Sequence, residues 1–298
     1  MQNEFPIYHH MLTRYAPSPT GHLHLGHVVN AIYVWGLARA AGGRVLLRME
    51  DHERIRCRPE FGSSILEDLA WLGFEPDEGL HPLVRQSDRG DEYRDALDRL
   101  RSAYHVYACE CSRKHIAGER YDGFCRDRCL TDGSGRGLRV RIDEGVEAFD
   151  DLLLGAMTQE PARQCGDLLL RDRDGNWTYQ FAVTVDDLMQ GITDVIRGED
   201  LSSSTGRQLR LRQMLGGSSR LRFAHHPLIR KPGGEKLSKS AADTGVRELR
   251  QSGLTAADVI GRAAAAVGLI GQFRAVAADE VAELFEARIP NPESRIQA

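Results

Sequence analysis

Between Met11 and Met49 the chain alternates in a way that few folds accept. Met11-Leu12-Thr13-Arg14-Tyr15 predicts a short strand, stopped by Ala16-Pro17-Ser18-Pro19, where two prolines hold the backbone extended. From Leu25 to Ala41 the apolar residues Val28, Val29, Ile32, Trp35, Leu37 and Ala38 recur at helical spacing, and Gly42-Gly43 ends the run. Arg44 to Met49 then predicts a short buried strand leading into Glu50-Asp51. Helices over residues 61–71 and 91–102 continue the pattern. Strand, helix, strand, helix implies an α/β fold: a parallel, doubly wound sheet that takes its ligands at the carboxyl ends of the strands.

The alternation breaks at about residue 105. Cysteines, glycines and turn residues crowd Ala108 to Gly137, followed by β-like runs at Leu138–Ile142 and Asp167–Arg171. It resumes with Gln180–Val185 as a strand or helix start, Asp194–Arg197 as a strand and Thr205–Leu215 as a helix; Thr255–Val267 and Ala278–Ala287 read as helical. Four parts are expected: 1–104, the first half of a nucleotide-binding catalytic domain; 105–180, an insertion; 181–240, the second half of that domain; and 241–298, a short helical C-terminal region. A net charge of -4 excludes a generally basic nucleic-acid binder, so any RNA contact relies on local basic surfaces. No apolar run is long enough to span a bilayer, and the N-terminus shows no signal peptide. The expected compartment is the cytoplasm, where the six cysteines are free or metal-bound.

Two segments carry the chemistry. His24-Leu25-Gly26-His27 sits at the start of the first helix, where backbone N–H groups suit phosphate oxygens. Gly26 lets a flat ligand approach the backbone, and imidazoles at i and i+3 share one helical face. The second segment is Lys236-Leu237-Ser238-Lys239-Ser240, behind Lys231-Pro232-Gly233-Gly234. The chain's lysines are Lys114, Lys231, Lys236 and Lys239, so three of the four fall in one short loop of a protein that otherwise uses arginine. Compact ammonium groups suit the charge that develops when a triphosphate is broken. In this order, the two segments point to a nucleotide-activating enzyme. Separately, Cys109, Cys111, Cys125 and Cys129 lie within about twenty residues, a spacing that by itself suggests a structural Zn²⁺ site with four thiolates. Cys57 and Cys165 stand alone, and His115 is a weaker candidate ligand.

With Arg14-Tyr15-Ala16-Pro17-Ser18-Pro19-Thr20-Gly21, Leu47-Arg48-Met49-Glu50-Asp51 and Val195-Ile196-Arg197-Gly198-Glu199-Asp200-Leu201, these segments resemble the signatures of class I aminoacyl-tRNA synthetases of the glutamate type, in that family's order, over about residues 11–245. Tyr15 stands where phenylalanine is commoner. The resemblance implies glutamate contacts at Arg14, Ala16, Ser18, Glu50, Tyr179 and Arg197, with Tyr15 and Pro17 in the same stretch. It implies ATP contacts at His24, Gly26, His27 and Lys239, and catalytic roles for His24, His27, Lys236 and Lys239 with Mg²⁺ assisting. The residues agree with the substrate: glutamate has two carboxylates and one ammonium, which Arg14, Arg197 and Glu50 complement, while Tyr179 and Ser18 supply further hydrogen bonds. The family's zinc pattern, C-x-C followed by Y-x-x-x-C, maps to Cys109, Cys111, Tyr121 and Cys125, with Cys129 as the substitute for Tyr121.

The stretch after Ser240 is too short for domains that read an anticodon. That shortening, with the cysteine insertion kept, resembles the glutamyl-Q tRNA(Asp) synthetase family, which activates L-glutamate without tRNA and transfers it to the queuosine base of tRNA(Asp). A monomer is expected, although no residue pattern speaks to assembly. The alternatives are a truncated glutamyl-tRNA synthetase that charges a tRNA 3′ end, a catalytically silent nucleotide- or RNA-binding paralogue, and a pantothenate-synthetase-like ligase. The last does not account for Arg14, Glu50, Arg197 or the cysteines.

Overall fold

The structure is a computed structural model, and it describes residues 11–52, 56–112, 116, 120–218, 220–229 and 245–286. Lys114, His115, Lys231, Lys236 and Lys239 lie outside the described residues.

Strand β1 (Leu12–Tyr15) pairs in parallel with β2 (Arg44–Met49), Leu12 opposite Arg44 and Tyr15 opposite Leu47. Between them runs α1 (Leu25–Ala40), buried at Val28, Val29 and every residue from Ala31 to Ala38. A helix apolar on most of its circumference belongs in a core, and α1 is the one around which the largest hydrophobic cluster forms. Helix α2 (Pro59–Leu72) starts on a proline, whose missing N–H costs nothing in a first turn, and stops at Gly73 in the left-handed region. The short β3 (Val84–Arg85) extends the sheet beside β2, and α3 (Gly90–Ala103) follows.

The expected insertion divides between two sheets. Strands β4 (Val106–Cys109) and β5 (Gly137–Val140) pair antiparallel, whereas β6 (Glu147–Asp151) and β7 (Gly155–Gln159) form a hairpin that joins the second half of the main domain. After the single turn α4 (Pro161–Gln164), β8 (Leu168–Arg171) returns to β5. Residues 105–180 are therefore not one structural unit, because β6 finds its neighbour some 70 residues later in the chain.

Helix α5 (Tyr179–Met189) settles the ambiguous Gln180 segment as helical. Then come β9 (Asp194–Gly198), a 3-10 turn at Glu199–Ser204, α6 (Thr205–Met214) and β10 (Arg222–His226), which pairs in parallel with β9 on one side and β6 on the other. The two halves meet at β1 and β9. The Thr193 N–H donates to the Leu12 carbonyl at 2.9 Å, the Leu12 N–H donates to Thr193 Oγ1 at 2.9 Å, and Arg14 reaches the Ile196 carbonyl at 3.3 Å. From this seam the chain winds one way through β2 and β3 and the other way through β10 and β6. That is the reversal at which doubly wound sheets open a crevice.

Helices α7 (Val246–Gln251) and α8 (Ala256–Ala266) close the outer face of α1, α8 opening on a reciprocal Thr255–Asp258 cap. The expected C-terminal helix is a 3-10 turn at Ala278–Ala282. Beyond it Phe285 fills a notch at Gly36, where an added Cβ would come within 2.3 Å of the ring. Among the described residues no helix is long and apolar enough to cross a membrane.

At the end of β10, His226 packs flat on Tyr33 of α1 (ring centroids 5.0 Å apart) and is 2% exposed. Burial lowers its pKa from 6.5 to about 4. The unfolded chain therefore takes up a proton near pH 6.5 that the folded chain refuses until about pH 4, so stability falls as pH drops through that window. Urea denaturation should show a loss of about 2 kcal/mol from this group between pH 7 and pH 5. The His226→Gln variant should lack that increment.

Candidate active site

Next to the seam between β1 and β9 lie charges that should not survive burial singly. Arg48, fully buried on β2, donates to Glu50 Oε1 at 3.0 Å and to Asp187 Oδ1 at 2.8 Å, with Asp186 a further 3.8 Å contact. Arg14 Nε donates to the same Asp187 at 3.1 Å. Cations and anions thus alternate as Arg14, Asp187, Arg48, Glu50. Burial opposes ionisation of Asp187, but Arg14 and Arg48 outweigh it and hold the carboxyl below the usual carboxylate range. Tyr179 opens α5 beside this chain of charges. Burial first, and then the negative charge of Glu50, pushes its phenol up.

Arg197 is different. Its guanidinium, 4% exposed, donates to His225 Nε2 at 3.0 Å, Gln208 Oε1 at 2.6 Å and Thr205 Oγ1 at 2.8 Å. All three acceptors are neutral, and among the described residues no carboxylate lies within ion-pair distance of it. Burial accordingly pushes its pKa down from the ordinary arginine value. A buried guanidinium oriented by neutral groups is a receptor for an anion.

The start of α1 supplies the second half of the site. His24 is the N-cap: its Nδ1 accepts from the Gly26 N–H at 3.1 Å, while the His24 N–H donates to His27 Nδ1 at 3.1 Å. The rings lie 3.9 Å apart. With Nδ1 accepting in both, each neutral imidazole carries its proton on Nε2 and is a donor there. Gly26 has a tighter reason to be glycine than ligand approach alone, since a Cβ would lie 2.9 Å from the His24 ring. The described residues that flank the lysine-bearing segment contact this helix or the residues that open it. His226 Nε2 lies 3.1 Å from Asn30 Oδ1; on the far side, Gly245 bridges to His24 and the Val246 N–H donates to the Leu23 carbonyl at 2.9 Å.

Three cysteines converge elsewhere. The Sγ atoms of Cys109, Cys111 and Cys125 lie within 4.8 Å of one another, and Cys111 and Cys125 are 3.6 Å apart. The Tyr121 hydroxyl joins them, 3.6 Å from Cys109 Sγ and accepting from the Cys125 N–H at 2.8 Å. Burial and the neighbouring thiols push Cys111 up to about 12, whereas hydrogen bonds overcome burial and lower Cys125. Sulfurs this close do not all ionise without a cation, and tetrahedral ligands at about 2.3 Å from an ion sit about 3.8 Å apart, so the set fits a thiophilic metal. Cys129 is outside the cluster, exposed, with its Sγ 4.0 Å from the Asp127 carbonyl. The four-cysteine set read from spacing is thus not assembled here; the Tyr121 hydroxyl lies beside the three sulfurs instead.

Residues 10–257 match the family described as tRNA synthetases class I (E and Q), catalytic domain. The chain belongs to that family. It is 41% identical over 285 residues to a protein of Nitratidesulfovibrio vulgaris named glutamyl-Q tRNA(Asp) synthetase, covering 87% of each chain. It is 42% identical over 256 residues to a glutamate–tRNA ligase of the same species, covering 82% of this chain but 54% of that one. In structure it is similar to a glutamate tRNA ligase of Elizabethkingia meningosepticum crystallised with its amino acid, at TM-score 0.78 and 26% identity over 94% of this chain and 65% of that one.

The structure gathers Glu50, Arg197 and Arg14 around the Tyr179 phenol, and sets His24 and His27 at the start of α1. Pro17 enters through its carbonyl, which accepts from the Glu50 N–H at 3.0 Å; Ser18 is exposed and Ala16 half-buried on the same turn. Tyr15 does not join the polar set. Its ring is buried against Trp35 and its hydroxyl donates to the His27 carbonyl, so only its backbone faces the turn. Sequence reasoning missed Arg48 and Asp187. Their signal was a charge inside an apolar run: Arg48 between Leu47 and Met49, and Asp187 after Phe181-Ala182-Val183-Thr184-Val185.

Removing Arg48 leaves two buried carboxylates short of their common partner. Arg48→Met should cost roughly 3–5 kcal/mol in denaturant unfolding. A loss below 1 kcal/mol would mean the carboxylates find other compensation.

Proposed function

We propose that this protein activates glutamate with ATP and passes the glutamyl group to the queuosine base of tRNA(Asp). The observation that carries the first half is Arg197: a buried, pre-oriented guanidinium whose own protein partners are all neutral. It would read the side-chain carboxylate of glutamate, with Tyr179 beside it. Glu50 would pair with the ammonium, and Arg14 with the α-carboxylate.

An α-carboxylate oxygen attacks the α-phosphorus of ATP in line, the bond to the bridging oxygen breaks, and pyrophosphate leaves. Negative charge accumulates on the departing phosphates, where the Nε2–H groups of His24 and His27 donate. Lys236 and Lys239 are assigned to the same phosphates from their motif; Mg²⁺ accompanies ATP as part of the co-substrate. No covalent enzyme intermediate is needed, because holding carboxylate and phosphorus in line in a water-poor crevice supplies the acceleration. The mixed anhydride is then attacked by a hydroxyl of queuosine's cyclopentenediol. An ester forms, AMP leaves, and the hydroxyl proton goes to solvent.

The choice of acceptor is supported by the relatives that match along most of both chains, which carry the glutamyl-Q name. The second reading, esterification of a tRNA 3′ end, is favoured by the similarity to the glutamate–tRNA ligase, of which this chain spans about half. The cysteine cluster is proposed to hold one structural zinc ion through Cys109, Cys111, Tyr121 and Cys125, fastening the end of β4 to the loop before β5. The site contributes folding energy and takes no part in the reaction.

Labelled glutamate should drive ATP–pyrophosphate exchange without tRNA, and label should enter tRNA that contains queuosine but not the same tRNA lacking it. Equal labelling of both would overturn the queuosine reading and favour the 3′ end. Atomic spectroscopy should find about one zinc per chain. Cys125→Ser should remove most of it and Cys129→Ser should leave it; the reverse pattern would replace Tyr121 with Cys129.

A further inference from the structure

The neutral acceptors around Arg197 are themselves held by a second, deeper contact. His225, on β10 opposite Arg197 of β9, is 1% exposed. Its Nδ1 faces Asp151 Oδ2 at the end of β6, and Asp151 is 3% exposed. The other carboxylate oxygen, Oδ1, accepts three backbone N–H groups: Leu153 at 3.0 Å, Leu154 at 3.0 Å and His225 at 3.3 Å. A carboxylate pinned this way can only accept from the ring, so the imidazole proton sits on Nδ1 and Nε2 is left with its lone pair. That lone pair is what Arg197 Nε meets at 3.0 Å, and the Thr205 hydroxyl lies 3.3 Å from the same nitrogen. Burial and the nearby Arg197 charge oppose protonation of His225, in keeping with a neutral ring.

We propose that Asp151 and His225 form a positioning pair which, by fixing the imidazole tautomer, aims the guanidinium of Arg197 at the carboxylate of the amino-acid substrate. Neither residue touches substrate; both act through Arg197. The proposal rests on the glutamate-activating reading above and adds to it the origin of acid selectivity. A carboxylate is engaged strongly only by a guanidinium held in one orientation, and that orientation is set two side chains away.

Asp151→Asn tests it nearly isosterically. The three backbone donors keep the amide oxygen at the Oδ1 place, which puts the amide NH₂ against His225 Nδ1. The ring must then accept at Nδ1 and carry its proton on Nε2, where it confronts the Arg197 N–H donor to donor. The expected result in glutamate-dependent ATP–pyrophosphate exchange is a KM for glutamate raised about ten- to a hundredfold, with the KM for ATP and kcat held within about twofold. The ¹⁵N resonances of His225 should move from the Nδ1–H to the Nε2–H pattern. Adding His225→Gln, whose amide oxygen can take the Nε2 place whatever sits at position 151, should bring the glutamate KM back toward the unaltered value.

If Asp151→Asn does not fold, His225→Gln against His225→Leu makes the same comparison, acceptor kept against acceptor removed. A glutamate KM unchanged by Asp151→Asn, or equal in the two His225 variants, overturns the positioning role. So does a rise that the added Gln fails to reverse. Absence of glutamate-dependent exchange in the unaltered protein overturns the proposed function and this inference with it.

Discussion

The shared carboxylate of Asp187 is the contact on which the site depends. It receives Arg14 from β1 and Arg48 from β2, and it stands on α5, so one buried group ties two neighbouring strands of the first half to the helix that also presents Tyr179. An isolated charge in this crevice would be neutralised or solvated. Four in alternation can stay ionised because each has a partner within about 3 Å. Across the seam between β1 and β9, which no strand pairing among the described residues joins, Arg14 also reaches the Ile196 carbonyl at 3.3 Å.

Two kinds of cation result from this arrangement. Arg14 and Arg48 are paired with acids of the protein itself, Arg14 through its Nε and Arg48 through both Nη atoms. Arg197 is oriented by neutral groups, a ring nitrogen, an amide oxygen and a hydroxyl, with the Tyr179 phenol beside it. An incoming carboxylate gains most at a guanidinium that has no acid of the protein within ion-pair distance.

Much of the fold was readable because its signals are local. The buried face of α1, the proline start of α2 and the glycine stops all sit within a few residues of the elements they define. Arg14, Glu50, Tyr179 and Arg197 were legible through motifs, and they do meet. What escaped was set by distant partners. No property of residues 147–159 says that β6 lies beside β10 while β5 lies beside β8. Arg48 and Asp187 read locally as interruptions of apolar runs, and only the tertiary meeting of β2 with α5 shows them to be each other's reason for being buried. Tyr15 fails in the other direction. Beside the residues expected to contact glutamate, it alternates inward and becomes core. Cys129 matched by spacing, but four residues after Cys125 its backbone takes a positive φ and its thiol turns away from the cluster.

The anchoring on either side of the lysine segment has an entropic meaning. His226 is fixed to Asn30 and Tyr33, while Gly245 and Val246 are fixed to His24 and Leu23, so both anchors rest on α1 or the residues that open it. Docking these two anchors closes a loop, and the entropy of closing it is lost once, when the domain folds.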